Sequence, residues 1–474
     1  MKNIFKFLFF VGILFTSCED AYNVDPDDEI LESNAITSVA DLEKAAIALY
    51  GTVSGSNLIN YSSRFTDDLR LPADNRGQGV QVHTWGITAG DTTVESLWFN
   101  LYNVISRANR ILAILDDIPA VTVDEQVSKA RIKAECLGLR AMSHFDLLRA
   151  FGLSYDGNST ELGIPNINYV VVFEQPSRNT VSENYSFINN DITTALGLLD
   201  ASYTDNTRLT VNALNALKAR VALYQGEYAT AISSATEVIN NVPLATATEY
   251  ADIWTDSSES EVVFKLKRTT GDGAVGTIFQ DTNGDIFFYM SNNLTTAAIN
   301  YAYGASTAVP PTDPRFGALL DLENSSFASG VFVVGKYLGT TANFGLNDVK
   351  VFRTSEMYLI RAEAYARTSQ LDMAGTDMTT LRSNRGYTSA TTYSTQAAAL
   401  TDIIENERRV ELAFEGHRYF DMKRRGLAIS RTATDDCGSA SGACELASDD
   451  YRWVMPIPQT EIFANDNMEP NPGY

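Results

Sequence analysis

From about Ala35 to Ile239 the apolar residues of this chain recur with a helical period, which restricts that half to helices packed on helices. Ser38 is placed to cap a first helix, in which Leu42, Ala45, Ala46, Leu49 and Tyr50 share a face. Comparable patterns run through Val94 to Leu115, Asp124 to Phe151, Tyr185 to Leu199, Asn212 to Tyr224 and Tyr228 to Asn240, most of them separated by short Gly, Asn or Pro breaks. Between Ala219 and Ala229, small and large apolar residues alternate as they do where two antiparallel helices pack closely, the pattern of a tetratricopeptide-type hairpin. A second such hairpin pairs Ser355 to Ala366 with a helix near Asp372 to Asn384, ended by Arg385-Gly386.

Between the two helical blocks the character changes. From Thr246 to Val351, Gly, Ser, Asn and Thr punctuate short strand-like pieces, Glu261 to Leu266 and Asp285 to Tyr289 among them. Loop-rich, aromatic-rich segments on a rigid helical scaffold are where binding residues concentrate. The expected class is therefore mostly α, with helix hairpins supporting a loop-rich, partly β region. The divisions fall at 35–245 and 246–474, as one large body or two fused halves. With 45% hydrophobic residues, the 474-residue chain can bury a substantial core.

Ahead of that body, Lys2 and Lys6 supply a positive start, Ile4 to Phe15 is an almost unbroken apolar run, and Phe15-Thr16-Ser17-Cys18 is a lipobox-like ending. Residues 1–17 thus read as a signal peptide and Cys18 as a lipidation site; the alternative is a cleaved, unlipidated secretory signal. The run is too short to span a bilayer, which takes ~20 apolar residues. Residues 18–34, with Glu19, Asp20, Asp25, Asp27, Asp28 and Glu29, form an acidic tether. An exported protein accommodates disulfides, and Cys437 and Cys444, joined by a Gly/Ser/Ala spacer, are the expected pair, with Cys136 a buried free thiol.

The charge excess, 36 basic against 59 acidic side chains or −23, repels nucleic acid and other polyanions and suits a neutral ligand. Catalytic signatures are weak. Asp67-Asp68 is the tempting carboxylate pair for glycoside hydrolysis, but neighbours on a strand point opposite ways. No nucleophile elbow, zinc-helix motif or phosphate loop is present. Asp281 to Asp285 begins like a calcium loop, yet Ile286 stands where glycine is required and Asn292 where the closing glutamate belongs, so a plain turn is the better reading and a metal is left open. No cofactor is expected.

Several segments together resemble the SusD/RagB family of nutrient-uptake outer-membrane lipoproteins. Val351 to Ala364 is similar to its helix signature, and Glu407-Arg408-Arg409-Val410-Glu411-Leu412-Ala413-Phe414-Glu415-Gly416-His417-Arg418-Tyr419-Phe420-Asp421 to its most recognisable segment. Asp313-Pro314-Arg315-Phe316, Gly335-Lys336-Tyr337, Pro456-Ile457-Pro458 and the closing Asn471-Pro472-Gly473-Tyr474 fall in the family's order. The resemblance implies a SusD-like fold, lipid-anchored at the cell surface in the outer membrane and docked on a SusC-like TonB-dependent transporter. It implies non-catalytic capture of an oligo- or polysaccharide; peptide capture of the RagB kind and, behind it, glycoside hydrolysis are the alternatives. Glu19-Asp20 loosely resembles the family's surface-export signal. The charged residues from Glu407 to Asp421 alternate in sign at helical spacing and read as a structural network.

Sugar sites combine aromatic rings with polar donors and acceptors. Trp98 matches a framework tryptophan of the family, while Trp254 and Trp453 read as packed. Trp85 remains, in a polar, glycine-rich loop that the family commonly uses for glycan contact. Its expected companions are Asn75, Arg76, Gln78 and His83, with Asp67 and Arg70 nearby; the other reading is that Trp85 plugs the loop onto the helices. Tyr289, Tyr301 and Tyr303 are candidates for a second stacking wall.

Overall fold

The computed structural model describes residues 36–157, 159–303, 313–437 and 443–474. Helices α1 (Val39–Thr52), α2 (Ser56–Phe65), α3 (Thr92–Leu115), α4 (Val123–Phe151), α5 (Val181–Leu196), α6 (Val211–Gln225) and α7 (Tyr228–Asn241) form the first block. After α8 (Asn292–Tyr303) come α9 (Thr354–Arg367), α10 (Leu371–Ser383) and α11 (Arg418–Arg425). Six short strands make three two-stranded antiparallel ribbons: β1 (Leu69–Arg70) with β3 (Tyr289–Met290), β2 (Val262–Leu266) with β4 (Val349–Arg353), and β5 (Ile429–Ser430) with β6 (Glu445–Leu446). Among the described residues no helix is long and apolar enough to cross a membrane.

The hairpins form where the small residues allow close approach. Helix α6 ends at Gly226, whose φ of 77° lets its N–H turn back to the carbonyls of Ala222 and Leu223, and α7 folds down against α6. Helix α9 packs against both α7 and α10, so two hairpins stack side by side although more than 100 residues of chain separate them. The caps are local: Ser38 accepts the N–H of Asp41, and Thr122 and Thr180 each close a capping box with Glu125 and Glu183. The larger apolar cluster runs from Val39 to Met468, across position 245, and a second gathers Leu359, Met378, Leu381 and Ile403 around the later hairpin.

The segment from Glu407 to Asp421 is a network, but its partners are distant in sequence rather than a helical turn away. Arg315, Arg353, Arg385 and Arg408 are among the largest fully buried side chains. Glu411 accepts from Arg315 (3.2 Å), Arg353 (2.9 Å) and Arg385 (3.0 and 2.9 Å). Glu261 at the start of β2 binds Arg385 and Arg353, and Glu415 binds Lys336 and Arg353. Burial penalises the charge on Glu411, yet Arg385 and Arg353 outweigh it and hold the carboxyl well below its ordinary range. This charge cluster ties the 313–337 segment and the β2–β4 ribbon to the helix ends.

Val351-Phe352-Arg353, which lies inside the helix-like signature, is strand in the fold. Arg353 ends β4 and stands at the N-cap of α9 without a side-chain cap bond; it pairs in register with Val262 and sends its guanidinium into the charge cluster. β-branched residues on a ribbon buried except at half-buried Val351 explain the strand.

Candidate functional site

Three segments converge at the β1–β3 ribbon. In β1 the side chains alternate: Leu69 is buried and Arg70, its neighbour, points to the other face, where it stands opposite Tyr289. The Arg70 guanidinium lies 4.8 Å from the centre of the Tyr289 ring, and its Nη2 donates to the Gly330 carbonyl. The Nε of Arg70 is buried without a partner. Arg70 is therefore fixed as a half-open cation on an aromatic face.

The loop after β1 is built to stay in place. Asn75 is buried and its amide donates to the carbonyls of Gln78 (3.0 Å) and Phe287 (2.5 Å). Arg76 reaches across to grip Asp285 with both guanidinium nitrogens, one at 2.6 Å. Gly79 adopts a φ of 63°, and a Cβ there would meet the Arg64 side chain at 2.7 Å. On the other side, Asp281 accepts the N–H groups of Asn283 and Asp285 at 2.9 Å each, closing the turn that carries Asp285. The calcium-like beginning at Asp281 is thus a turn whose last carboxylate serves Arg76. Among the described residues no group of three His, Cys, Asp or Glu side chains is arranged to hold a metal.

The third segment comes from near the C-terminus. Cys437 and Cys444 are joined by a disulfide, and the residues just before it brace the other two segments. Asp436 accepts the N–H of Leu71 at 2.8 Å, and Asp435 accepts those of Asn292 (2.7 Å) and Asn293 (3.1 Å), completing the first turn of α8. Cys136 is buried and unpaired in α4, and burial raises its thiol well above the usual range.

Several residues singled out in the sequence are positioned otherwise. Trp85 is 4% exposed: its Nε1–H donates to the Phe65 carbonyl at 2.9 Å and Arg431 covers its ring at 4.5 Å. A positive φ of 60° turns it inward, and it plugs the loop onto α2, leaving no face for a sugar. His83 is fully buried, with Nδ1 3.0 Å from the Arg64 carbonyl and Nε2 2.9 Å from Asp436; burial pulls its pKa down while Asp436 opposes this. Asn75 is a brace rather than a ligand group. Asp67 is buried and held by both Arg418 nitrogens at 3.0 Å and by Arg409, while Asp68 takes the Nε of Arg409 at 2.8 Å. Burial disfavours the Asp67 charge, but Arg409 and Arg418 keep the carboxyl below its usual range. This aspartate pair is consumed in ion pairing and presents no acid–base dyad to solvent.

Arg70 stands on Tyr289, and Arg76 holds Asp285 four residues before that tyrosine, with Arg76 and Gln78 exposed. Tyr301 and Tyr303 lie in the last turn of α8, and their side chains lie outside the described residues, as does Cys18. Asp285, Asp435 and Asp436 were missed because their role is to hold other segments. The Asp281 turn was the one local signal that touched them. The resulting shelf offers a cation-backed ring, amide and guanidinium donors and a carboxylate.

One family model, described as SusD family, matches residues 321–474, and a second, described as starch-binding associating with outer membrane, matches residues 23–223. The chain is similar to a SusD-like protein of Formosa agariphila, 22% identical, with 98% of this chain and 97% of that one covered. Starch-binding protein SusD of Bacteroides thetaiotaomicron is 33% identical over 134 residues, which cover 28% of this chain and 23% of that one. Among solved structures, a SusD superfamily protein from Bacteroides vulgatus is 26% identical and superposes with a TM-score of 0.77, covering 93% of this chain and 100% of that one.

Proposed function

The chain belongs to the SusD/RagB family, and from that premise we propose that it captures a neutral oligo- or polysaccharide on the Arg70–Tyr289 shelf and delivers it, unmodified, to a SusC-like TonB-dependent transporter. In this reading Cys18 carries acyl chains that hold the protein on the cell surface at the outer membrane. The observation that carries it is the pairing of an aromatic ring backed by a cation with exposed Arg76 and Gln78 and half-buried Asp285, the mixture of apolar face and polar rim that a sugar presents in reverse. Family relatives bearing starch-binding names support the ligand class. A net charge of −23 favours a neutral polymer over a uronate or sulfated one.

Calorimetric titration of the purified protein against neutral glycans, acidic glycans and oligopeptides tests this. Heat from a neutral glycan, abolished in Tyr289→Ala and weakened in Arg70→Ala, is the expected result. Silence from every sugar with heat from peptides would replace the ligand class with peptide. Trp85→Ala is unsuitable as the control, because Trp85 is a core residue here.

A further inference from the structure

A second concave surface lies at the far end of α8. It is a groove of about 680 Å³ between α8, the loop after α10 and the segment Thr401–Glu407, which is wound as a π-helix. Its lining includes Asn300 from α8, Tyr387 and Tyr393 from the loop, and Asp402 and Asn406 from the π-helix.

Three properties set this groove apart from an ordinary surface hollow. First, it is held rigid: Arg382 grips Asp402 through two bonds of 2.9 and 3.0 Å and donates to Thr391 at 3.1 Å and to the buried Glu407 at 2.6 Å. The Tyr393 hydroxyl donates to the same Asp402 at 2.6 Å, so the ring is fixed at the groove wall. Second, the charges cancel within the Arg382–Asp402 pair, and the exposed groups that remain are amides, hydroxyls and half-buried tyrosine rings, as at the shelf. Third, π-helical turns are rare and frequently occur at functional sites; this one carries Asp402 and Asn406 onto the groove side together.

Helix α8 joins the two surfaces. Its first turn follows Tyr289 by three residues and is anchored on Asp435, and Asn300 lies eight positions further on, on the order of 12 Å along the helix axis at ~1.5 Å per residue. We propose that the groove is a second saccharide subsite, and that α8 is the ruler along which one neutral glycan chain lies on both shelf and groove. This rests on the shelf being a glycan site. Two weak subsites engaged by one ligand multiply, so affinity would rise steeply once the ligand is long enough to reach both.

The test is calorimetry on the purified full-length protein with ladders of α-1,4-linked and β-1,3-linked glucose oligomers of increasing length. Thr392→Trp places a bulky ring on an exposed position of the groove and Asn406→Ala removes one exposed amide, and neither residue is part of the core. The expected result is at least tenfold tighter binding above a threshold length in the parent, flattened to the short-oligomer affinity in Thr392→Trp and reduced in Asn406→Ala. Short oligomers bind all three proteins equally and are lost in Tyr289→Ala. A length dependence that survives both groove variants overturns the subsite while leaving the shelf standing. Absence of binding by the parent to any oligomer overturns the glycan reading itself.

Discussion

Arg385→Met is the most direct test of what holds the fold together. Arg385 is fully buried and makes four bonds to carboxylates, at 3.0 and 2.9 Å to Glu411 and at 3.2 and 2.9 Å to Glu261, plus one of 3.0 Å to the Ala245 carbonyl. Methionine keeps most of the volume and removes the charge. Two buried carboxylates then share Arg353 alone as their strong common partner, and breaking a buried pair from one side costs roughly 3–5 kcal/mol. With an unfolding entropy of about 2.1 cal/mol/K per residue, 474 residues give roughly 1 kcal/mol/K, so the midpoint falls by about 3–5 °C. Differential scanning calorimetry reads this. Adding Glu411→Gln to the same chain removes the unmatched carboxylate, and the double variant is expected to be more stable than the sum of the single losses by at least about 1 kcal/mol. Lys133→Ala, which removes an exposed pair with Asp116, leaves the midpoint in place. An Arg385→Met midpoint within 1 °C of the parent, or strict additivity in the double variant, refutes the view that the cluster acts as one unit.

His144 donates from Nδ1 to the Arg140 carbonyl (2.8 Å) and accepts the Ile167 N–H at Nε2 (3.1 Å), and burial lowers its pKa to about 3. The unfolded chain takes up that proton near pH 6.5 and the folded one near 3, so stability falls as pH drops through this window, by roughly 4–5 kcal/mol for this group; a pH series of denaturation midpoints should show it, flattened by one proton in a folded His144→Gln variant. Reduction of the Cys437–Cys444 bond, which closes a loop of sequence separation 7, is expected to lower stability by about 2 kcal/mol and to weaken glycan binding, both readable by titration with and without reductant. Trp85→Ala opens a cavity and removes one of the two donors, Trp85 and Arg431, that the Phe65 carbonyl accepts from, with an expected loss of ~3–5 kcal/mol in urea denaturation and no effect on binding at temperatures where the variant stays folded.

Local signals were readable. The alternation of small and large residues from Ala219 to Ala229 announces a close hairpin, and Ser38 announces its helix, because periodicity and capping act within a few residues. The strand Val262–Leu266 falls inside the expected piece. Arg385 was legible only as a helix end, since its meaning depends on Glu261, 124 residues away. Trp85 misled for a related reason: its loop is polar and glycine-rich, but Phe65 and Arg431, which bury it, are 20 and more than 340 residues away. Tyr289 and Arg70 were both readable as candidates. Their stacking was not, because a two-residue ribbon leaves too little pattern to set its register.

The disulfide-bearing loop has a consequence for the order in which the molecule matures. Asp436 steadies Leu71 from 365 positions downstream, and Asp435 completes α8 from 143 downstream. The helical hairpins hold their partners within the chain already made, but the Arg70–Tyr289 surface waits for nearly the last tenth of the polypeptide to arrive. A nascent or truncated chain ending before Asp435 would therefore lack both the anchors of that surface and the C-terminal part of the core, Trp453, Met455, Ile457 and Met468. If the proposed site is the binding site, competence to bind then reports that translation is finished.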